Sequence, residues 1–293
     1  MMKCNLCKNK NVVNLNKKVM GSDTAEVFYC ESCDHAFLQN VNIEEKFYEE
    51  DFDKFMASRS CDTSRIDMEK SFIRSLNTEA EERISFLSKY LDFSKINSIL
   101  EMGSSNGFML EKFKERFPDI KIEGIEPGKA ARDFSLEKRH KVYSSINEVE
   151  TKYDCIISFF VLEHISEPEL WIKTLVNKLL PKGFFAAIVP NLNEALVKEY
   201  ADPNYDNFVW QAPHLAYYSS KSLRFLLEKF SNDVKVIDYQ RYTLSNHLNW
   251  LSGLKPKKST DYAFVTEEIN SLYKKALEDN DRADTLAAFM RVP

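Results

Sequence analysis

The chain has 293 residues, 44% of them hydrophobic, enough to bury a large core, and its 45 acidic against 40 basic residues leave a formal charge of −5. That balance argues against a nucleic-acid binder, which shows a basic stripe or a strongly basic composition. No apolar run approaches the ~20 residues that cross a bilayer, and the first residues lack the charged-then-apolar layout of a leader, so a cytoplasmic protein with no membrane partner is expected.

Residues 1–40 form a short unit around four of the six cysteines. Cys4-Asn-Leu-Cys7 and Cys30-Glu-Ser-Cys33 are two knuckles with 22 residues between them. Two residues between thiolates let both sulfurs face one ion, and two knuckles complete the tetrahedral four-sulfur shell that zinc takes in structural sites. A closed shell leaves no place for water, so the zinc is expected to be structural and to help fold a small module. His35 is expected on the solvated surface, with Cys61 and Cys155 as ordinary thiols. Residues 41–95 are expected as a helical connecting segment, acidic and aromatic over 43–59, with apolar residues at helical spacing over 69–91.

From residue 96 short apolar runs alternate with amphipathic segments. Strands are predicted at 96–102, 120–126, 153–160 and 183–190, and helices at 108–117, 129–139 and 170–180. Strand-helix alternation implies a parallel sheet covered on both faces. Residues 191–218 read as a loop or lid over the site, followed by a helix at 220–230 and a strand at 233–243. Residues 244–260 read as irregular, with Gly253 and Pro256 marking turns, and a helix is predicted over 261–279. His140 and His247 are expected at the surface or in loops.

The run Ile99-Leu-Glu-Met-Gly-Ser-Ser-Asn-Gly107 is a strand entering a glycine-punctuated turn and then a helix. Glycines permit close backbone approach, and the acidic Glu126 at the end of the next strand can accept from both hydroxyls of a ribose. Alone, these features also fit a dinucleotide-binding fold.

With further motifs in order, residues 70–293 resemble the class I S-adenosylmethionine-dependent methyltransferases. Glu101-x-Gly103-x-x-x-Gly107 is similar to that family's glycine motif, which contacts the methionine part of the cofactor, although Ser104 stands where glycine is common. Glu126 matches the ribose-binding acid. Tyr153–Ser158 followed by Phe160-Val-Leu-Glu-His-Ile165 resembles the fourth strand and its Leu-Glu-His turn, which a nicotinamide enzyme is not expected to carry. Leu180-Pro-Lys-Gly-Phe184 resembles the turn into the fifth strand. The resemblance implies an α/β fold, a Rossmann-like seven-stranded sheet with its last strand antiparallel and helices on both faces, here with a small N-terminal zinc ribbon. Residues 96–293 would be the cofactor-binding domain, 284–292 its last strand, and 244–280 an insertion between strands six and seven. Glu101, Gly103, Ser104, Asn106, Gly107, Glu126, Ser145, Phe159 and Phe160 are the cofactor-side residues so implied, with the two rings as site wall.

Zinc knuckles joined to this fold resemble the sugar methyltransferases of bacterial polysaccharide and antibiotic pathways, some acting on carbon of a nucleotide-linked keto sugar and others on oxygen. Those relatives carry a Glu-His pair after strand five, and the matching stretch here is Pro213-His-Leu-Ala-Tyr-Tyr-Ser219, with proline at the glutamate position. The resemblance therefore implies a small polar acceptor, a sugar or nucleotide sugar, methylated at oxygen or carbon. His214, in the loop expected over the methyl group, is the candidate general base, and His164 the next candidate. Trp210, Tyr217 and Tyr218 are candidate walls of the acceptor pocket. Two other classes stay open: an RNA methyltransferase gripping RNA through the zinc ribbon, and a cofactor-binding protein without transfer activity. Against the first, Ser158-Phe-Phe-Val161 replaces the Pro-Pro-aromatic motif of enzymes acting on base amines, and Cys155 follows aspartate rather than the proline of cytosine C5 enzymes.

Overall fold

The computed structural model describes residues 2–41, 77–255 and 260–293. The stretch 43–59, Cys61, the first part of the helix expected over 69–91, and Pro256 lie outside the described residues.

At the N-terminus β1 (Val12–Asn14), β2 (Glu26–Cys30) and β3 (His35–Gln39) form an antiparallel ladder. Residues 77–87 form helix α1, whose Ala80, Ile84 and Leu87, spaced at helical intervals, are all buried. Next come β4 (Ser98–Met102), α2 (Phe108–Arg116), β5 (Lys121–Ile125), α3 (Lys129–Glu137), β6 (Val142–Tyr143), β7 (Tyr153–Phe159), α4 (Pro168–Asn177) and β8 (Leu179–Pro190). Beyond β8 lie α5 (Ala195–Lys198), α6 (Pro203–Val209), β9 (Ala216–Tyr218) and α7 (Ser220–Leu227). The chain ends with β10 (Asp233–Tyr239), α8 (Leu244–Leu251), α9 (Glu267–Glu278) and β11 (Thr285–Arg291).

The large sheet has seven strands in the order β10-β11-β8-β7-β4-β5-β6. Only β11 runs against its neighbours β8 and β10, as the resemblance implies. Alternation along each strand sorts side chains to two cores. Leu100, Ile156, Phe185 and Leu286 face α4, α7 and the cysteine module. Ile99, Cys155, Ile157 and Ala287 face α1 and α2. Both faces are covered, which is why the central strands read as continuous apolar runs.

Four differences from the sequence reading have physical causes. The edge strand β6 has two residues, too short to show a period. Helix α8 lies where irregular chain was expected, because the face it buries carries Ser245, His247 and Asn249 beside Trp250 and shows no apolar repeat. Residues 191–218 are built of α5, α6 and β9 rather than open loop, and β9 joins the N-terminal sheet beside β3 with His35 opposite Tyr218 and Phe37 opposite Ala216. Consequently His35 is not on the surface. It is fully buried between the rings of Phe37 and Tyr218, 6.0 and 5.0 Å away. His140 and His247 are also buried rather than superficial. Cys155 is a buried core thiol. Among the described residues no helix is long and apolar enough to cross a membrane.

Candidate active site

In a parallel sheet the loops that follow the strands gather along one edge, where α/β proteins bind ligands. The turn after β4 starts at Gly103, φ 68°, and ends at Gly107, φ 76°, which caps α2. A Cβ on Gly103 would stand 2.6 Å from Cγ2 of Val161, so only glycine lets the turn after β7 pack this closely. Ser104 N–H donates to the carbonyl of Ile125 at 2.9 Å and ties the turn to β5.

Glu126, the residue after β5, accepts from the N–H of Ser105 at 2.8 Å and from that of Gly128 at 2.7 Å. These bonds place its carboxylate over the turn. Glu101 is 3% exposed, and burial pushes its carboxyl up to about 8, opposed by Arg83 and reinforced by Glu126. Oε2 of Glu101 and Oγ of Ser104 are buried without a hydrogen-bond partner. Such atoms cost free energy unless a ligand reaches them, and a primary ammonium group suits the carboxylate. Asn106 is half-buried in the same turn.

Phe159 is buried, while Phe160 sits at φ 56°. The Arg83 guanidinium lies 5.2 Å from the first ring and 5.5 Å from the second, and that of Arg241 lies 4.5 Å from Phe160. Ser145 caps the 3-10 turn Ile146–Glu148, its hydroxyl accepting from Asn147 N–H.

The Leu162–His164 turn follows β7. Nδ1 of His164 is 2.8 Å from the Pro213 carbonyl; that oxygen only accepts, so Nδ1 is the donor of this bond. The ring of His214 stands edge-on to that of His164, centroids 4.9 Å apart at 81°. The side-chain amide of Gln211 is 3.2 Å from Nδ1 of His214. Glu163 is 1% exposed, its carboxyl pushed up to about 8 by burial, and neither carboxylate oxygen has a partner. Sequence reasoning saw the Leu-Glu-His turn but left Glu163 and Gln211 out of the site. An acidic residue between the apolar Leu162 and a histidine, four positions past the end of β7, was the available clue.

The three aromatic residues expected to line the pocket are found in packing. Trp210 is buried, its indole N–H donating to Asp206 at 3.0 Å. Tyr217 is buried, its hydroxyl accepting from Gln211 N–H at 2.8 Å. Tyr218 is fully buried in β9, and its hydroxyl is without a partner. Tyr217 and Tyr218 lie on β9, which covers the N-terminal sheet, and Trp210, just after α6, packs against Tyr217 with ring centroids 4.6 Å apart.

The four knuckle cysteines converge, with Sγ atoms of Cys4 and Cys33 3.6 Å apart, those of Cys7 and Cys30 3.5 Å apart, and all four within 4.8 Å of one another. Four thiolates at ~2.3 Å from a common centre have edges of about 3.8 Å, so the donor set fits one tetrahedral ion. Lys8 and Asp34, each directly after a knuckle's second cysteine, take φ 63° and 54°. Bonds tie this module to the segment carrying His214. Met20 and Trp210, Ala212 and Met20, and Leu38 and Leu215 are joined backbone to backbone at 2.8, 2.9 and 3.0 Å. Ser219 Oγ donates to the Asp34 carbonyl at 2.6 Å, and Asn193 Nδ2 to the Asp34 carboxylate at 2.7 Å.

Sheet order, with β11 antiparallel, and the glycine turn followed by an acidic residue together define the class I methyltransferase fold. Residues 72–231 match the Methyltransferase domain family, and the chain belongs to that family. Over 214 residues it is 26% identical to the mitochondrial methyltransferase OMS1 of Saccharomyces cerevisiae, a match spanning 68% of this chain but only 43% of that protein. The plantazolicin methyltransferase BamL, solved with a triazolic desmethylPZN analog and SAH, aligns at TM-score 0.50 and 16% identity, covering 85% of this chain and 94% of that one. A SAM-dependent methyltransferase of Thermotoga maritima, described as a possible histamine N-methyltransferase, aligns at TM-score 0.50 and 13% identity, covering 78% and 97%. At these identities the structural likenesses show the fold.

Proposed function

We propose that the protein methylates an oxygen of a small polar acceptor, a sugar or nucleotide-linked sugar, and that zinc fills the four-cysteine cluster. The observation that carries the reading is the T-shaped pair His164–His214, ring centroids 4.9 Å apart, on the turn after β7 and in the segment between β8 and β9. Val161, three residues before His164, packs against Gly103.

S-adenosylmethionine supplies a methyl group already activated for displacement. Glu101 and the 103–107 turn would hold its methionine end, and Glu126 its ribose. What remains for the chain is to orient the acceptor, take its proton and exclude water. His214 is the proton acceptor of this proposal, and His164, oriented by the Pro213 carbonyl, stands beside it. The same carbonyl links the two turns. With Pro213 in place of the glutamate, the side-chain carboxylate of the Glu-His pair is missing, and this is what favours oxygen over carbon. Trp210 and Tyr217 support the acceptor side from behind.

The test is incubation with methyl-labelled S-adenosylmethionine and, separately, a panel of nucleotide sugars, free sugars and bulk RNA. Label in a sugar fraction with equimolar SAH is expected. Label in RNA alone would overturn the acceptor reading.

A further inference from the structure

Glu163 is left over from this account. It is 1% exposed, both carboxylate oxygens lack a hydrogen-bond partner, and it stands beside two imidazoles. A buried carboxylate without hydrogen bonds is costly in either ionisation state, and a cation is one of few partners that satisfies both of its oxygens at once.

We propose that Glu163, His164 and His214 form a divalent-cation site on the acceptor side of the cleft. One ligand atom from each lies within 4.8 Å of the others. Ligands about 2.1 Å from a shared ion are about 3.0 to 3.5 Å apart, within reach by small side-chain rotations. The support behind the ligands is of the metal-site kind. The Pro213 carbonyl, 2.8 Å from Nδ1, orients the ring of His164, and Gln211 braces the ring of His214 at 3.2 Å. Its third ligand, Glu163, comes from a turn anchored at the end of β7.

One carboxylate and two imidazoles leave open positions on the ion, unlike the closed four-sulfur cluster. The acceptor class that fits them carries two adjacent oxygens, such as a vicinal diol or a hydroxy-ketone. This rests on the reading of His164 and His214 as the acceptor side. The ion would lower the pKa of an acceptor hydroxyl held beside it, and the proton would pass to water. The acceptor oxygen would form the new O–C bond as the methyl's C–S bond breaks, the electron pair going to sulfur and leaving a neutral thioether. The ion would then take over the deprotonation assigned above to His214.

The test is titration of the zinc-loaded protein with Mn2+, followed by the electron paramagnetic resonance of free Mn2+. Manganese favours carboxylate and imidazole over four thiolates, so the cysteine cluster does not compete. One Mn2+ per chain is expected in the wild type, with affinity falling at least tenfold in both Glu163→Gln and His214→Gln. Unchanged SAH affinity in the variants certifies that they are folded. No Mn2+ bound by the wild type, or equal binding by folded variants, overturns the site. The titration uses no acceptor, so its failure is distinguishable from failure of the methyl-transfer reading, which the acceptor panel tests separately.

Discussion

Cys33→Ser should impair methyl transfer while sparing cofactor binding, although Cys33 lies in the β2–β3 turn of the N-terminal sheet and the glycine turn follows β4 of the large sheet. Losing one of four ligands should release the ion and loosen the β1–β3 module, since small metal modules draw their folding energy from the metal. Besides the β3–β9 ladder, the segment carrying His214 then loses five hydrogen bonds, those of Met20, Ala212, Leu38, Ser219 and Asn193. At about 1 kcal/mol net each, these amount to ~5 kcal/mol. At the low end for such bonds, about 0.5 kcal/mol each, the sum is about 2 to 3 kcal/mol, a roughly 30- to 140-fold fall in molecules holding His214 in place. Turnover should fall by that factor. SAH affinity, measured by calorimetry, should stay within about threefold, because Glu101, Gly103 and Glu126 stand on β4, β5 and the turns after them. Zinc content by elemental analysis should be near one per chain in the wild type and near zero in the variant. A zinc-free variant that keeps wild-type turnover would refute the reasoning.

Glu126→Ala should weaken SAH binding about 100-fold, since two charge-assisted bonds to ribose hydroxyls contribute ~1.5 kcal/mol each; unchanged affinity in calorimetry would place the ribose elsewhere. Glu101, raised from 4.5 to about 8, stays protonated in the fold while the unfolded chain ionises, so stability present below pH 4.5 is lost as pH rises toward 8. Glu101→Gln should flatten that dependence in denaturant melts, and an unaltered slope would count against the shift. Near pH 7 the cofactor's ammonium group should displace the Glu101 proton, seen as a binding enthalpy that varies with buffer ionisation heat. Gly103→Ala should cost cofactor affinity, because φ 68° and Val161 at 2.6 Å both oppose a Cβ; a wild-type affinity would show that the turn relaxes freely.

The doubly covered sheet was legible because β4, β5, β7 and β8 are runs of apolar residues between amphipathic helices, and covering both faces demands that pattern. The cysteine knuckles were legible because two-residue spacing has a direct geometric meaning. Three things were hidden. Strand β9 carries Tyr217 and Tyr218, whose burial depends on pairing with β3, nearly 180 residues earlier, and no local period encodes that partner. The buried faces of α8 and of β3 include His247 and His35, polar types that read as surface. Glu163 read as part of a turn motif, and only the fold shows its carboxylate enclosed beside the two histidines.

The most direct measurement of the central claim is single-turnover methyl transfer by His214→Ala and His164→Ala, with SAH affinity determined on the same preparations. If the chemistry takes place beside this pair, at least one variant should transfer methyl ~100- to 10,000-fold more slowly while SAH affinity is retained. Wild-type transfer rates in both variants, or a loss confined to cofactor affinity, would contradict it.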